Sequence, residues 1–265
     1  MSAVESEPRT LAPFGRRRAA VTGVEDVGAY RLLRCADDGP EPRPGQFYML
    51  ATVERWGGGE DERPYLPRAF SYLRRPAGEL EFLLEDVGPG TRRLAEVRPG
   101  EALWLLGPLG CGFDPPEEGR RPLLVGGGIG IVPLAALQSG LPAPALLGFR
   151  DSAHAAGAEL LDDVTLATDD GSRGHRGLVT ELLDAHLDED DAVELYACGP
   201  PAMLESVRRT SVQRGVPAQL ALEAGMACGF GACFGCVVPT HDGYVRTCVD
   251  GPVLPAAELE AVPVP

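Results

Sequence analysis

The sequence predicts a multi-domain β + α/β protein with three parts. Short apolar runs separated by Gly and Pro fill residues 1–115, which is typical of a small antiparallel β-barrel. Over residues 116–220, apolar runs alternate with helical patterns, as in βαβ units that build a parallel sheet. Residues 221–265 combine four cysteines with closely spaced glycines, and we expect a small loop domain with little regular structure there.

Composition narrows the class of protein. The chain has 265 residues, 44% of them hydrophobic, and a formal net charge of −15. An acidic surface repels phosphate backbones and anionic lipid headgroups, so we expect no nucleic acid and no membrane among the partners. The N-terminal segment "MSAVESEPRTLAPFGRRR" has no apolar region typical of a secretory signal, and the seven cysteines are an odd number. These features predict a cytoplasmic protein without a disulfide framework.

One uncharged segment, residues 122–149, is long enough to cross a bilayer. Six glycines and four prolines interrupt it. A strand, a glycine loop, a helix and a second strand inside a buried parallel sheet account for this pattern better than a membrane span.

The barrel strands are predicted in six runs, which are "RAAVTGVEDV", "AYRLLRC", "GQFYMLATV", "RAFSYLRR", "ELEFLLEDV" and "EALWLLGPL". "WGGGEDERPYLP" interrupts them and is expected to be a surface loop. Within this domain Arg68 could hold a phosphate, and the Ser71 hydroxyl could reach a ring nitrogen. Gly90 and Thr91 in "GPGTRRL" begin a predicted helix and form a second possible phosphate site. Taken alone, "RAFS" is equally a surface Arg followed by an exposed Ser.

After the linker "DPPEEGRRP", the strand of "LLVGGGIGIVPL" leads through Gly126–Gly128 and Gly130 into a helix. Glycine there lets a phosphate approach helix amides, but tight packing of strand and helix requires glycine as well. "YACGPPAML" is a second strand end, passing through Gly199 and Pro200 at the edge where open α/β sheets bind ligands. "ATDDGSRGHRGLVT" is a third strand end and by itself is typical of a solvated turn.

The cysteines of the last part have a diagnostic spacing. Four residues separate Cys228 from Cys233, two separate Cys233 from Cys236, and Cys248 follows after eleven more. The first two intervals are those of plant-type [2Fe-2S] ligation. Glycines 229, 231 and 235 allow unusual backbone angles and let amides approach sulfur. Structural zinc usually takes two close pairs, and only one is present here. The remaining cysteines, Cys35, Cys111 and Cys198, are expected to be packing residues.

Together these motifs resemble the ferredoxin–NADP reductase superfamily and, within it, the electron-transfer subunits of NAD-dependent, class 1B dihydroorotate dehydrogenase. The resemblance extends from about Arg17 to Leu254. "RAFS" is similar to the flavin motif Arg-Pro-x-Ser, with Ala69 in place of proline, and "GTRRL" to the pyrophosphate turn. "VGGGIGIVPL", "TDDGS" and "YACGP" are similar to the nicotinamide domain. "LEAGMACGFGACFGC" followed by "RTCVDGPVL" is the most specific match.

The resemblance implies an FAD-binding β-barrel domain (1–115), an NAD-binding α/β domain (116–220) and a [2Fe-2S] cluster-binding domain (221–265). The implied FAD contacts are Arg68, Ala69, Phe70, Ser71, Glu85, Asp86, Val87, Gly90 and Thr91. The implied NAD(H) contacts are Gly127, Gly128, Gly130, Cys198, Gly199 and Pro200. The implied cluster ligands are Cys228, Cys233, Cys236 and Cys248. No candidate residue for catalysis of substrate oxidation is present.

By the same resemblance, electrons pass between an FMN-containing catalytic subunit and NAD through the cluster and FAD, supporting oxidation of dihydroorotate to orotate in pyrimidine biosynthesis. A heterotetramer with two copies of each subunit is implied. In "GFRDSAH", Arg150 could bind a 2′-phosphate and Asp151 would repel it, while the resemblance favours NAD. Two alternatives stay open: a paralogous NAD(P)H-dependent reductase subunit that serves another partner, such as a hydrogenase, and a zinc-stabilised interaction module with a degenerate nucleotide fold.

Overall fold

The computed structural model of the chain describes residues 15–56 and 65–262. The N-terminal segment examined for a secretory signal lies mostly outside these residues. So do residues 57–64, which form most of the expected surface loop "WGGGEDERPYLP".

The first domain is an antiparallel sheet closed into a barrel. Its elements are Arg17–Val27 (β1), Tyr30–Ala36 (β2), Phe47–Thr52 (β3), Arg68–Ser71 (β4), Glu79–Leu84 (β5), Pro89–Ala95 (α1) and Ala102–Leu109 (β6). The strand order is β4-β3-β6-β1-β2-β5. The chain after β4 pairs with β5, because Leu73 N–H donates to Glu81 O (2.7 Å) and Glu81 N–H to Arg74 O (3.0 Å). This pairing joins the two ends of the sheet, and the barrel encloses Leu33, Tyr48 and Phe82.

The second domain is a parallel sheet covered on both faces. Its elements are Arg121–Gly127 (β7), Ile131–Gln138 (α2), Ala145–Phe149 (β8), Val164–Thr168 (β9), His175–Arg176 (β10), Val179–Glu189 (α3), Val193–Cys198 (β11), Pro201–Arg214 (α4) and Ala218–Ala221 (β12). Short 3-10 helices span Gly128–Gly130 and His154–Leu160. The consecutive residues Leu123, Leu124 and Val125 are all inaccessible to solvent, as expected for a strand buried on both faces.

The C-terminal part contains more regular structure than the sequence predicts. Val237–Thr240 (β13) and Gly243–Arg246 (β14) form a hairpin, and Val253–Pro255 (β15) pairs antiparallel with β12, followed by a 3-10 helix over Ala256–Glu258. The sheet order is β10-β9-β8-β7-β11-β12-β15. Residues 222–236, which contain Cys228, Cys233 and Cys236, and residues 247–252, which contain Cys248, lack strands and helices. Strands of three or four residues are too short for an alternation pattern to reveal them.

The barrel and the α/β sheet share an apolar core. Tyr30 and Leu83 of the barrel pack in the same buried cluster as Ile131 and Phe149 of the sheet domain. The turn between β1 and β2 also touches the helix at His154–Leu160. There Gly28 has φ +58°, and a Cβ at this residue would lie 2.1 Å from Ala153 O. Within the described residues, no helix has the length and apolar character needed to cross a bilayer.

Candidate cofactor cleft and cysteine loop

A cleft of about 930 Å³ lies between the barrel and the carboxyl ends of the parallel strands. Strand β4, the residue after β5, and the loops after β7, β8 and β11 line this cleft. Carboxyl ends of parallel strands are where open α/β sheets bind ligands, so the fold positions the cleft where a nucleotide would be expected.

The cleft collects most of the predicted cofactor contacts. Lining it are the barrel residues Arg68, Ala69, Phe70, Ser71 and Glu85, and the sheet-domain residues Gly127, Gly128, Gly130, Cys198, Gly199 and Pro200. Four predicted residues do not line the cleft: Asp86, Val87, Gly90 and Thr91.

Those four residues lie beside the cleft at the start of α1. A Cβ at Gly90 would lie 2.5 Å from Arg68 Nε, so the guanidinium packs directly on this turn. Thr91 Oγ1 accepts the backbone N–H groups of Val87 and Gly88, both at 2.9 Å, and thereby fixes the turn. Asp86 faces Arg92, with 3.5 Å between Oδ2 and Nε. The turn therefore positions the Arg68 cation at the edge of the cleft.

The glycines of the sheet domain serve two different purposes. A Cβ at Gly130 would lie 2.5 Å from Cys198 O, and one at Gly127 would lie 2.6 Å from Met203 Sδ, so these positions are closed by packing. Gly128 instead has φ +53° with no atom within 4 Å of its hypothetical Cβ. Packing therefore accounts for Gly127 and Gly130, while Gly128 combines a left-handed backbone with open space beside the cleft.

A network of polar side chains lies at one end of the cleft. Arg150 Nη2 donates to Glu85 Oε1 (3.1 Å) across the domain boundary. His154 Nδ1 lies 2.7 Å from Asp151 Oδ1, and its ring meets Tyr30 edge-on at 5.6 Å. Hydrogen bonds from the His154 side chain and backbone hold the pKa of Asp151 below its usual value. Burial and the nearby Glu85 raise the pKa of Tyr30.

Several cleft residues carry no sequence signal. Tyr30, Phe47 and His154 line the cleft, yet no motif marks them as cofactor contacts. Glu223 and Met226 line it too, and they belong to "LEAGMACGFGACFGC", where only the cysteines were assigned a role. Tyr30 and Phe47 sit inside ordinary apolar strands, where only the fold shows which side faces a ligand.

The sequence predicts both a packing role and a cofactor contact for Cys198. Its side chain lines the cleft and also packs against the buried core. Burial, with a contribution from Glu223, raises its pKa to about 12. The thiol is therefore uncharged at neutral pH.

The cysteine loop, residues 228–248, presents its sulfurs as two unlike pairs. Cys228 and Cys233 form the outer pair, with Cys233 exposed. Ala232 N–H donates to Cys228 Sγ (3.3 Å) and Gly235 N–H donates to Cys233 Sγ (3.4 Å). Burial acts to raise the pKa of Cys228, but the surrounding backbone donors and Cys233 outweigh it and lower the value to about 6. Cys228 is therefore prepared to carry negative charge.

Cys236 and Cys248 form the inner pair. Each is 2% exposed, and both pack with Phe47 and Met49 of the barrel. Burial, together with a hydrogen bond and charge from Cys236, raises the pKa of Cys248 to about 12. Thr247, the residue before Cys248, fixes the backbone of Cys236, since its N–H and Oγ1 both donate to Cys236 O (3.0 and 3.1 Å).

The backbone of the loop requires glycine at two of the three expected positions. Gly229 and Gly231 have φ +79° and +86°, and a Cβ would lie 2.5 Å from Met49 Cγ in the first case and 2.7 Å from Val249 Cγ2 in the second. Gly235 is different, because its hypothetical Cβ would be at an ordinary 3.5 Å from Cys233 Sγ. Gly235 contributes its amide rather than an unusual conformation.

The donor set suits a two-iron cluster. Four thiols with backbone donors on the outer pair match the anionic ligands that such a cluster takes, two per iron. Among the residues that the structure describes, no group of three or more His, Cys, Asp or Glu side chains is arranged to hold a single metal ion. A two-iron cluster takes two thiolates per iron, so a site made of two thiol pairs does not need three such side chains around one ion.

The cleft and the cysteine loop share a wall. Phe47 and Met226 line the cleft and also pack in the apolar cluster that contains Cys236 and Cys248. The cleft and the inner sulfur pair are therefore bordered by one and the same apolar cluster.

Comparison with known proteins gives consistent matches. Residues 223–260 match the family model described as the iron-sulfur cluster binding domain of dihydroorotate dehydrogenase B. The electron transfer subunit of dihydroorotate dehydrogenase B (NAD(+)) from Caldanaerobacter subterraneus subsp. tengcongensis is 37% identical over 229 residues, covering 83% of this chain and 88% of the relative. The subunit of the same name from Geobacillus sp. (strain WCH70) is 38% identical over 231 residues, covering 82% and 86%.

Solved structures share the architecture. An NADH-dependent reduced ferredoxin-NADP oxidoreductase, studied for flavin-based electron bifurcation, superimposes with a TM-score of 0.77 at 24% identity, covering 92% of this chain and 90% of the other. The ferredoxin reductase in carbazole 1,9a-dioxygenase gives a TM-score of 0.66 at 27% identity, covering 76% and 66%. These likenesses confirm the predicted succession of barrel and parallel sheet.

Proposed function

Because this chain belongs to the family of electron-transfer subunits of NAD-dependent dihydroorotate dehydrogenase B, we propose that it carries electrons between NAD and a catalytic partner subunit. FAD occupies the cleft, and a [2Fe-2S] cluster occupies the cysteine loop. NAD exchanges electrons as hydride, a [2Fe-2S] cluster exchanges them singly and FAD does both, so FAD belongs between the other two.

The observation that carries this proposal is the wall shared by the cleft and the cysteine loop. Phe47 lines the cleft and also belongs to the apolar cluster that contains the buried Cys236 and Cys248. Two sites for electron carriers that share side chains in this way fit a relay better than two unrelated binding functions.

Each predicted residue receives a role in this proposal. Arg68 holds the FAD phosphates at the turn formed by Gly90 and Thr91, while Ala69, Phe70 and Ser71 contact the flavin. Residues 85–87 complete the FAD side. Gly127, Gly128 and Gly130 face the nicotinamide nucleotide, and residues 198–200 approach the place where nicotinamide meets flavin. Cys228, Cys233, Cys236 and Cys248 ligate the cluster.

The partner in this proposal is an FMN-containing dihydroorotate dehydrogenase subunit, and the complex is a heterotetramer. Large apolar side chains are exposed on the cysteine loop: Phe230 by 47% and Phe234 by 64% between the first three cysteines, and Tyr244 by 79% on β14. Exposed apolar groups concentrated in one place are typical of protein interfaces. Docking there would cover the cluster and let dihydroorotate oxidation in the partner supply electrons to this chain.

The cofactor assignment is tested by anaerobic purification followed by flavin, iron and sulfide analysis and a visible spectrum. One FAD and about two irons per chain are expected for a single [2Fe-2S] cluster. A colourless protein that contains zinc and no flavin would overturn the proposal in favour of an interaction module.

The partner assignment is tested by reconstitution with the FMN subunit and measurement of NAD-dependent orotate formation. Tyr244→Asp should weaken the complex by at least about tenfold, since it places a charge in the apolar interface. The matched control is Val212→Asp, which changes a 56% exposed residue on α4. A loaded subunit that forms no active complex would indicate a paralogous reductase with another partner.

A further inference from the structure

Arg246 lies at the end of β14, two residues before Cys248, and its side chain reaches back to the outer half of the cysteine loop. Its Nη1 donates to Gly231 O at 3.1 Å. Its guanidinium carbon lies 5.1 Å from the centre of the Phe234 ring. The side chain therefore touches the segments on both sides of Cys233.

The carbonyl that Arg246 contacts belongs to the peptide group that also serves a sulfur. Gly231 C=O and Ala232 N–H are the two ends of one peptide unit, and this N–H donates to Cys228 Sγ (3.3 Å). A cation at the oxygen end of an amide polarises it and strengthens the hydrogen bond that its N–H donates. Arg246 thus acts on the Cys228 sulfur through a single peptide group.

Arg246 itself is held from the other side. Its backbone N–H donates to Asp250 Oδ2 (3.0 Å), and Asp250 Oδ2 lies 3.8 Å from its Nε. Arg246 pairs with Val237 in the hairpin that directly follows Cys236. The residue therefore ties the outer pair of sulfurs to the element that carries the inner pair.

We propose that Arg246 is a positioning residue that sets the reduction potential of the cluster, through the Gly231–Ala232 peptide and through its own charge. The potential of an iron–sulfur cluster depends on hydrogen bonds to its sulfurs and on nearby charge. One electron enters on reduction and makes the cluster more negative, so a cation and a stronger N–H···S bond both favour the reduced form. This inference rests on the proposed function, because it requires a cluster at these four cysteines.

The test is an EPR-monitored redox titration of the full chain with Arg246→Gln, Arg246→Lys and the control Arg209→Gln. Arg209 is an exposed arginine on α4 that pairs with Glu205, so its variant removes the same charge away from the loop. The glutamine variant at position 246 should lower the midpoint potential. A tenfold loss in the ratio of reduced to oxidised cluster, about 59 mV for one electron, is expected. The lysine variant should recover at least half of that shift, and Arg209→Gln should not change the potential.

The possible results distinguish a failure of this inference from a failure of the proposed function. An Arg246→Gln protein with full iron and sulfide and an unchanged potential would overturn the inference. If this variant loses its cluster, the lysine variant decides: a retained cluster near the parent potential supports the inference, and an empty lysine variant overturns it. Absence of a cluster in the unmodified chain would instead contradict the proposed function, before any variant is compared.

Discussion

The cleft and the cysteine loop are built in opposite ways. The cleft draws its walls from residues as far apart in the chain as Tyr30 and Pro252. The cysteine loop takes all four sulfurs from residues 228–248, with its backbone shaped by neighbouring glycines. The first site depends on how two domains pack, and the second depends mainly on local conformation.

Glycine shows the difference at the level of single atoms. In the cleft, Gly130 is required because the Cys198 carbonyl passes 2.5 Å from where a Cβ would be. In the loop, Gly231 is required first by its φ of +86°. Substitutions at the two sites should therefore damage different cofactors.

The largest effect is expected for Cys236→Ser, which should abolish the cluster and leave FAD in place. The sulfur is 2% exposed and packed on the barrel, so no solvent ligand can replace it without disturbing the core. Iron, sulfide and flavin contents measure the result, with iron falling from about two per chain to near zero. In the control Cys111→Ser, a hydroxyl can still donate to Val249 O, as the Cys111 thiol does, and the cluster should remain. Simultaneous loss of FAD would show that the two sites are not independent.

Next in size is Gly130→Ala, which should impair the cleft and spare the cluster. Its Cβ would press on Cys198 O and on Gly199 Cα, at 2.5 and 2.6 Å, so the two loops must separate. Overpacking of this kind costs about 1–3 kcal/mol, and if all of it falls on the nucleotide-bound form, NADH binding weakens by roughly 5- to 150-fold. Rapid-reaction measurement of flavin reduction against NADH concentration gives the affinity.

The control for this variant is Gly140→Ala, whose Cβ would meet only Leu137 O at 4.0 Å. The Gly140 variant should bind NADH normally. An unaffected Gly130→Ala enzyme would contradict the close approach of the two loops.

A smaller effect is expected in the loop from Gly231→Ala. The left-handed backbone costs a residue with a Cβ about 1–2 kcal/mol, and this Cβ would also crowd Val249. The cluster should assemble but bleach several-fold faster in air, while flavin content stays the same. Gly235→Ala is the matched comparison, because its Cβ has ordinary space, and its bleaching rate should be close to that of the parent. Equal bleaching rates for both variants would remove the role assigned to backbone conformation.

The accessibility of the four thiols separates the two halves of the loop. In cluster-free protein, Cys233 and Cys228 should react with iodoacetamide at pH 7 well before Cys236 and Cys248. The outer thiols are accessible and Cys228 has a pKa lowered to about 6, whereas the inner pair is buried and Cys248 has a pKa raised to about 12. Mass spectrometry of peptides over time gives the order. Uniform labelling would mean that the inner pair is not held against the barrel without its metal.

The smallest effect is expected from Asp151→Asn at the polar end of the cleft. Hydrogen bonds from His154 lower the pKa of Asp151 in the folded chain, so the carboxylate stabilises the fold above the unfolded value of about 3.9. This contribution disappears as the pH falls through the folded pKa. The variant should therefore unfold at a slightly lower temperature than the parent at pH 7, and the gap should close below about pH 4. A gap that is as wide at pH 3 as at pH 7 would contradict this assignment.

Much of both sites could be read from motifs. Cys228, Cys233 and Cys236 lie close together in the chain. Because one short loop carries all three, the spacing that suits a cluster is visible in the sequence. The strand preceding Gly126 was recognisable because a strand buried on both faces is continuously apolar. Residues such as His154 and Phe47 could not be identified, because their contacts come from segments far away in the chain.

The sequence alone determined the order of the domains, the glycine turns and the cysteines that match a two-iron cluster, because each depends on residues close together in the chain. Only the tertiary structure decided that Val253–Pro255 adds an antiparallel strand to the edge of the parallel sheet and that Glu85 meets Arg150 across the domain boundary. It also divided the sulfurs into a partly accessible outer pair and a buried inner pair, and made Phe47 part of both the cleft lining and the apolar cluster around the inner pair. These features arise from packing between distant segments, which local conformational preferences do not encode.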